Sequence, residues 1–405
     1  MAGFCRIGTL RILAPTNSSK LLISVNPVRT IYSQKTRSVS APIEKPKPWP
    51  YHTKGFNWFN SLFDKTTSRL DENSKIIVIE GPVASGKTKL AKELANELDM
   101  LYLPEANQDM LYTNHYGYNA KQLDPELPES VRSFDVTDFL LNPRHRLAAT
   151  FQFRQYIAKY SQYIDALAHV LSTGQGVILD RSVYSDFIFL EAMYMKRFIS
   201  PPARSIYYDV RKCTIHELLR PHLIIYLDIP VDKVIANIKQ RNYSCEKQSE
   251  VLTPDYLKKM EDLYKLDFLK KQSVHSELLV YDWSDKGDVE VVVEDIERIH
   301  FDRIDDHDPK LKDWVYHLEE EWADVRHKFS DKKYELLCYL DVPRLEAPEL
   351  VADAEDIHKF YELYQNAPGN YYRTGYNPTM GDNTTFLMRN KPIRDTLPHI
   401  ERSLK

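Results

Sequence analysis

The chain is poor in several features that would point to a particular class of protein. It has only 12 glycines in 405 residues and a charged fraction of 28%, which argues against a disordered or fibrous protein. Its net charge of -4 provides no basic field for nucleic acid. No apolar run approaches the roughly 18–20 residues that a membrane helix needs. These absences favour a folded protein with at least one sizeable core.

Cysteine is also scarce, and the residues are far apart. The four cysteines form no C-x-x-C pair, which argues against a disulfide framework, a zinc site or an iron–sulfur cluster. The dinucleotide fingerprint G-x-G-x-x-G is absent as well. The cysteines are therefore interpreted as ordinary thiols of a reducing compartment: Cys5, Cys213, Cys245 and Cys338.

Acidic residues are missing from the first 43 positions, which carry ten serines and threonines and several basic residues. This composition is typical of a mitochondrial transit peptide, and the alternative is a disordered basic arm. The stretch RTIYS, residues 29–33, predicts a cut after Tyr32. Removing residues 1–32 deletes four basic residues and takes the net charge from -4 to -8.

The proline-rich stretch at 41–52 predicts an extended linker, and aromatic residues at 56–63 predict a short docking helix. We therefore divide the chain into a transit peptide (1–32), a linker and docking segment (33–70), a main domain (71–300) and a C-terminal extension (301–405). The extension contains a predicted helix at 314–329 and an irregular, tyrosine-rich stretch at 366–383. Tyr372, Tyr376 and their neighbours either cover the core or contact another protein, and we favour docking.

Between these ends, β-branched apolar runs alternate with helical patterns. This alternation predicts an α/β fold, with a parallel sheet covered by helices on both faces. The predicted strands are 75–81, 100–105, 176–182, 222–230 and 278–284, and the predicted helices include one after the first strand, 144–172, 231–241 and 253–271.

The sequence GPVASGKT, residues 81–88, matches the phosphate-binding loop pattern G-x-x-x-x-G-K-[ST]. It follows a predicted strand and opens a predicted helix, where backbone amides and the helix dipole favour an anion. Gly81 and Gly86 allow the backbone to curl, so that successive amides of the loop, including those of Ala84 and Ser85, face one anion. Lys87 supplies a cation for the β and γ phosphates, and Thr88 a hydroxyl for Mg²⁺. The sequence therefore predicts a nucleotide site.

Three further candidates follow other predicted elements. Asp180 and Arg181 end the third strand, where they are placed to hold Mg²⁺ and a transferring phosphate; the alternative is an ion pair between them that caps the next helix. Glu105 ends the second strand as a candidate general base, and a surface acid is the alternative. Phe151 and Gln152 lie on the long helix as a candidate base-binding pair, and core packing is the alternative.

The loop, Glu105, the Phe-Gln pair and the stretch DRSVYSD together resemble the deoxyribonucleoside kinase family over about residues 75–300. The resemblance implies a P-loop kinase-like fold with a five-stranded parallel sheet. It also implies a bound purine nucleotide with Mg²⁺ at Thr88 and Asp180, and transfer of a γ-phosphate to a deoxynucleoside 5′-hydroxyl.

The departures from that family affect its catalytic groups. Where the family's lid helix carries three arginines, alignment gives Asn237, Arg241 and Tyr243, so one cation remains. Losing two such contacts should slow transfer severely. The motif around the base is inverted to Pro104-Glu105-Ala106. We therefore expect a binding site whose catalysis is weak or lost.

The presequence and the long extension resemble one divergent branch, the kinase-like accessory subunits of mitochondrial respiratory complex I. That resemblance implies a non-redox subunit on the matrix side of the inner membrane, with other complex I subunits as partners, and an associated flavin adenine dinucleotide (FAD). Two alternatives remain from the residues, an active mitochondrial deoxyribonucleoside kinase and a free-standing nucleotide sensor.

Overall fold

Five parallel strands form the centre of the computed structural model, which describes residues 31–34, 45–301 and 308–382. They lie in the order β2-β3-β1-β4-β5. Their bounds are β1 Ile76–Glu80, β2 Leu101–Leu103, β3 Val177–Asp180, β4 Leu223–Asp228 and β5 Glu277–Asp282. The predicted parallel sheet of five strands is confirmed.

The α-helices, labelled in chain order, are α1 Trp58–Ser61, α2 Lys87–Leu98, α3 Asp109–Tyr112, α4 Val136–Leu141, α5 Ala148–Thr173, α6 Phe187–Met195, α7 Pro201–Thr214, α8 Val231–Arg241, α9 Ser244–Lys247, α10 Pro254–Leu263, α11 Leu269–Gln272, α12 Val289–Glu297, α13 Glu319–Asp331, α14 Lys333–Cys338 and α15 Ala354–Asn366. A π-helical turn at Tyr264–Phe268 joins α10 to α11. Short 3₁₀ turns lie at Ala120–Glu126, Glu129–Val131, Val183–Ser185, Ile215–Glu217, Lys312–Trp314, Pro348–Leu350 and Pro378–Met380.

Alternate residues of β1 face opposite cores, as the pleat of a strand requires. Ile77 and Ile79 belong to a core with residues of α2, α8 and α12. Ile76 and Val78 belong to a larger core with residues of α5, α6, α7 and α10. Helices therefore cover both faces of the sheet, which confirms the second part of the predicted architecture.

The long helix α5 runs through the larger core and is buried on almost every side. It ends at Gly174, whose φ of 76° is left-handed, as the predicted stop signal requires. Its outer side is covered by α13, which belongs to the C-terminal extension. Beside this contact Lys333, the first residue of α14, donates to Asp165 of α5 at 2.8 Å, and both side chains are buried. The extension is thus part of the covering of the core.

The linker and the extension also contact each other, around the fully buried Arg326 on α13. Its guanidinium lies 3.8 Å from the ring centroid of Phe56 and 5.5 Å from that of Trp49. It pairs with Asp64 at 2.9 Å. Asp64 and the rings offset only part of the cost of burial, which lowers the pKa of Arg326 to about 10. This arrangement, the Arg326 clasp, joins the linker to the C-terminal extension.

Some predicted elements differ in extent from the structure, and several helices were not predicted. The helix expected at 314–329 begins only at Glu319, after a 3₁₀ turn, and the aromatic segment at 56–63 is helical only over Trp58–Ser61. Helices α6, α7, α12, α14 and α15 were not assigned from the sequence. Across the three described ranges, no helix is long and apolar enough to cross a membrane.

The expected presequence lies mostly outside the described residues. Its last two positions are described: Ile31 is fully buried, and the Tyr32 amide donates to Asn73 at 2.9 Å. The next amide, of Ser33, donates to Glu297 at 2.8 Å. The cut after Tyr32 and the domain boundaries stay predictions.

Candidate nucleotide-binding site

The phosphate-binding loop connects the end of β1 to the start of α2. Gly81 has a φ of 150°, and a Cβ there would lie 2.9 Å from the Leu227 carbonyl oxygen, so the residue must be glycine. Gly86 has a φ of 86° and is the N-cap of α2, so the helix amides point into the loop. Strand, loop and helix have the arrangement that the motif predicts.

Lys87 folds back over the loop. Its ammonium donates to the Pro82 carbonyl at 2.8 Å, and the side chain is largely buried. Burial, helped by Arg181, lowers the pKa of Lys87 to about 8, against the raising effect of Asp180 and Glu105. A phosphate bound in the loop would stabilise the charged form of Lys87.

Thr88 and Asp180 lie together at the ends of α2 and β3. The threonine hydroxyl donates to Asp180 Oδ2 at 2.6 Å, and Oδ1 of the same buried carboxylate has no hydrogen-bond partner. A hydroxyl beside a carboxylate oxygen without a partner is the donor chemistry that Mg²⁺ prefers. The two residues therefore fit the ion for which they were predicted.

Arg181 pairs with Glu105 rather than with Asp180. The guanidinium lies 2.5 Å from the Glu105 carboxylate and donates to the Gly81 carbonyl at 3.0 Å. The alternative of an Asp180–Arg181 pair capping a helix is wrong, because Asp180 accepts from Thr88. Burial raises the pKa of the Glu105 carboxyl, but Arg181 and Lys87 outweigh it and hold that pKa at about 2. Such a strongly ionised carboxylate is a poor acceptor of a proton at neutral pH.

A second carboxylate below the loop was not identified from the sequence. Glu80, the last residue of β1, is fully buried. It accepts from the amide and hydroxyl of Ser182, both at 3.2 Å, and from the Tyr264 hydroxyl at 3.1 Å. Burial raises the pKa of Glu80, and its hydrogen bonds and Arg181 offset part of that rise. Glu80 therefore fixes the positions of the residues that follow β3.

A cavity of about 920 Å³ opens from the loop toward α5. Predicted site residues that line it are Ala84, Ser85, Gly86, Lys87, Thr88, Glu105, Phe151, Gln152, Arg181 and Arg241. Gly81 and Asp180 lie behind this surface, where Gly81 accepts from Arg181 and Asp180 from Thr88. The structure thus brings the predicted residues together around one cavity.

At the far end of the cavity, Phe151 and Gln152 form part of the wall. Phe151 stacks on Phe139 with the ring centroids 5.1 Å apart. The Gln152 amide donates to Asp186 Oδ2 at 2.8 Å, which fixes the amide group. Phe151 packs in the core and also faces the cavity, and the base-binding role of the pair stays a prediction.

Asp186 connects three side chains at the far end of the cavity, although it was not singled out from the sequence. It is fully buried and accepts from Lys159 at 2.8 Å and from the Tyr207 hydroxyl at 2.7 Å, in addition to Gln152. The DRSVYSD stretch contains Asp186, but Lys159 and Tyr207 lie on separate helices. A charged residue within a helix gives no sequence signal that its partner is buried across the core.

The lid segment, residues 231–247, comprises α8 and α9 and lies over the phosphate loop. Asn237 donates to the Ala84 carbonyl at 3.2 Å. Arg241 lies against the buried Glu246, with its Nε donating to that carboxylate at 3.1 Å. Tyr243 has 56% of its surface exposed and stacks on Arg241. The lid cation that the sequence retains is therefore neutralised within the lid segment.

Comparison with known proteins agrees with this geometry. A family model described as deoxynucleoside kinase matches residues 77–318. Two mitochondrial relatives are both named NADH dehydrogenase [ubiquinone] 1 alpha subcomplex subunit 10. The Mus musculus protein is 37% identical, over 80% of this chain and 87% of its own length. The Bos taurus protein is 34% identical, over 80% of this chain and 90% of its own length. A deoxyguanosine kinase of Dictyostelium discoideum is 27% identical over 62% of this chain and 78% of its own.

Both predicted resemblances are therefore confirmed. The matched kinase region contains the loop, the cavity and the lid segment. The similarity to the mitochondrial subunits extends over more of the chain than the similarity to the deoxyguanosine kinase. The chain belongs to the deoxynucleoside kinase family, and within it to the group of the mitochondrial NADH dehydrogenase [ubiquinone] 1 alpha subcomplex subunit 10 proteins.

Proposed function

We propose that this chain is a non-redox accessory subunit of mitochondrial respiratory complex I that supports its assembly and stability and holds a nucleotide. The observation that carries this proposal is the extent of the similarity, since the complex I relatives match over 80% of the chain and the deoxyguanosine kinase over 62%. The location that follows is the matrix side of the inner membrane, where other complex I subunits are the partners.

The exposed surface outside the kinase-like region supports a docking role. Trp58 and Phe63 in the linker segment are 76% and 80% exposed, and Tyr372 in the extension is 54% exposed. Neighbouring bulky apolar side chains on a surface are typical of interfaces. The linker and docking segment (33–70) and the extension (301–405) are therefore proposed as the subunit contacts.

The nucleotide site supports binding more than transfer. The loop, Lys87 and the cavity can hold a purine nucleotide, either ATP, ADP or a deoxynucleotide. Mg²⁺, held by Thr88 and Asp180, would neutralise phosphate charge. Glu105 is held as an ion pair, and the lid segment lacks two of the cations that stabilise a transferring phosphate. Arg181 and Glu105 would then serve a vestigial or weak transfer.

An active mitochondrial deoxyribonucleoside kinase is the second candidate. The observation that favours it is the convergence of Lys87, Glu105 and Arg181 on one cavity, which a transfer reaction also requires.

Two experiments separate these functions. In native gels of solubilised mitochondria the subunit should migrate with an assembly far larger than its own 47.4 kDa, and migration at its own mass would contradict the subunit function. Purified protein should phosphorylate deoxynucleosides far more slowly than ~1 s⁻¹, an ordinary enzyme rate. Lys87→Ala serves as the inactive control, and turnover near that rate would favour the kinase.

The bound compound can be identified directly. Heat extraction of the purified protein followed by mass spectrometry should release a purine nucleotide in near-stoichiometric amount. FAD, which the resemblance implies, would use the same phosphate loop and would be recognised by its visible absorbance. Extraction of neither compound would contradict nucleotide retention while leaving the subunit function intact.

A further inference from the structure

The lid segment is tied to the phosphate loop by one side-chain hydrogen bond. Asn237 Nδ2 donates to the Ala84 carbonyl oxygen at 3.2 Å, and both residues line the cavity. Ala84 has a φ of 56°, a left-handed conformation that residues other than glycine rarely adopt. The bond therefore stabilises an unusual backbone conformation at the point where the loop faces the lid segment.

Arg241 strengthens the lid segment itself rather than reaching across the cavity. Its guanidinium forms two contacts with the Glu246 carboxylate and lies 4.7 Å from the ring centroid of Tyr243. The Glu246 carboxylate is buried, while the Arg241 side chain is 37% exposed, so the pair is partly shielded from water. The pair braces the turn between α8 and α9, and the Asn237–Ala84 bond is the hydrogen bond that connects this braced segment to the loop.

We propose that the lid segment is a latch that slows nucleotide release, with Asn237 as its positioning residue. The inference rests on the proposed function, in which a nucleotide is held rather than turned over. The ligand class is a nucleoside di- or triphosphate, because phosphates bound on Ser85–Thr88 would lie next to Ala84 and Asn237, which line the same cavity. The proposal requires that release of such a ligand separates the lid segment from the loop and breaks the Asn237–Ala84 bond.

The size of the effect follows from the strength of one hydrogen bond. A net contribution of the usual size for a neutral pair corresponds to a dissociation rate roughly three- to tenfold higher when the bond is lost. Association should change little, since the bond forms after the phosphates have entered the loop. The signature of a latch is thus a change in dissociation alone.

The test uses the full chain loaded with a fluorescent N-methylanthraniloyl-ATP, which is displaced by excess unlabelled ATP in a stopped-flow instrument. Asn237→Ala should release the probe roughly three- to tenfold faster than wild type. Asp232→Asn is the matched control, because Asp232 is exposed on the same helix, lies outside the cavity lining and makes no hydrogen bond to the loop among the described residues. It should release the probe at nearly the wild-type rate.

Two conservative variants guard against a folding defect. Asn237→Asp has almost the same shape but presents an oxygen to the Ala84 carbonyl, so it should release the probe at least as fast as Asn237→Ala. Asn237→Gln keeps the donor and should recover part of the slow release. Unchanged dissociation in both Asn237→Ala and Asn237→Asp would overturn the latch, and so would equal changes in association and dissociation.

The outcome also separates the latch from the function on which it rests. If wild-type protein binds no probe and yields no nucleotide on extraction, nucleotide retention fails, and the latch fails with it. If wild-type protein releases the probe slowly and the Asn237 variants do the same, only the latch is overturned.

Discussion

Replacing Asp186 with asparagine should destabilise the protein strongly, because it leaves a buried cation without its counter-charge. Lys159 and Asp186 have side-chain exposures of 3% and 0% and lie 2.8 Å apart. Removing one partner of such a pair costs about 3–5 kcal/mol. The Gln152 and Tyr207 donors also share Asp186 Oδ2, so the substitution disturbs their hydrogen bonds as well.

The expected shift in melting temperature follows from the size of the folded region. The described ranges contain roughly 330 residues, for which the average entropy of unfolding is about 0.7 kcal/mol/K. A loss of about 3–5 kcal/mol therefore lowers the melting temperature by about 4–7 °C. Differential scanning calorimetry of wild type and Asp186→Asn measures this shift directly.

Two further variants make the test specific. Adding Lys159→Met to Asp186→Asn removes the unpaired cation and should recover most of the lost stability, a coupling that a double-mutant cycle reports. Asp255→Asn breaks the exposed Lys196–Asp255 pair, whose side chains are 34% and 87% exposed, and should cost less than about 1 kcal/mol. A melting temperature within 1 °C of wild type for Asp186→Asn, or strictly additive single effects, would refute this reasoning.

Three other outcomes are expected. Because charged Lys87, with a pKa of about 8, is the form that binds phosphate, nucleotide affinity measured by calorimetric titration should decline above pH 8. Lys87→Arg should stay flat across that range, and a flat wild-type profile to pH 9.5 would contradict the role of this residue. Tyr116→Phe removes the hydrogen bonds that join Tyr116 to Asp382 and to the Gly375 amide. Limited proteolysis should then cut the extension sooner, with little change in melting temperature. An unchanged cleavage pattern would argue against that contact. Combining Asn237→Arg with Tyr243→Arg restores two lid cations and should raise deoxynucleoside phosphorylation at least about a hundredfold in a coupled assay, the lower end of the effect of one transition-state contact. No increase would mean that the missing cations are not what limits transfer.

The parts of the fold that follow from the sequence are those determined by local pattern. A β-branched run, a glycine loop and an amphipathic helix lie next to each other at residues 75–98, so strand, loop and helix could be placed before the structure was known. The same holds for the end of α5, where Gly174 follows the last helical residue. These features depend on neighbours within a few positions.

Features that depend on distant partners could not be predicted in this way. Glu80 and Arg326 are of residue types that are usually exposed, yet each is fully buried with a distant partner. Tyr264 lies 184 positions after Glu80, and Asp64 lies 262 positions before Arg326. For the same reason Asp186 gave no signal of its link to Lys159 and Tyr207. Helices α7 and α15 carry mixed polar and aromatic residues, and the faces they bury are set by tertiary contacts.

The Arg326 clasp also constrains the order in which the chain can fold. Trp49, Phe56 and Asp64 leave the ribosome long before Arg326, which lies 262 residues after Asp64. Trp49 and Tyr51 can dock earlier on α5, through the Trp49 amide to the Ser172 carbonyl and the Tyr51 hydroxyl to His169, but the contacts of Trp49, Phe56 and Asp64 with Arg326 wait for α13. Contacts of such long sequence separation form late and leave apolar groups open to aggregation in the meantime. A chain truncated before α13 should therefore expose its two N-terminal aromatic residues and depend on chaperones to remain soluble.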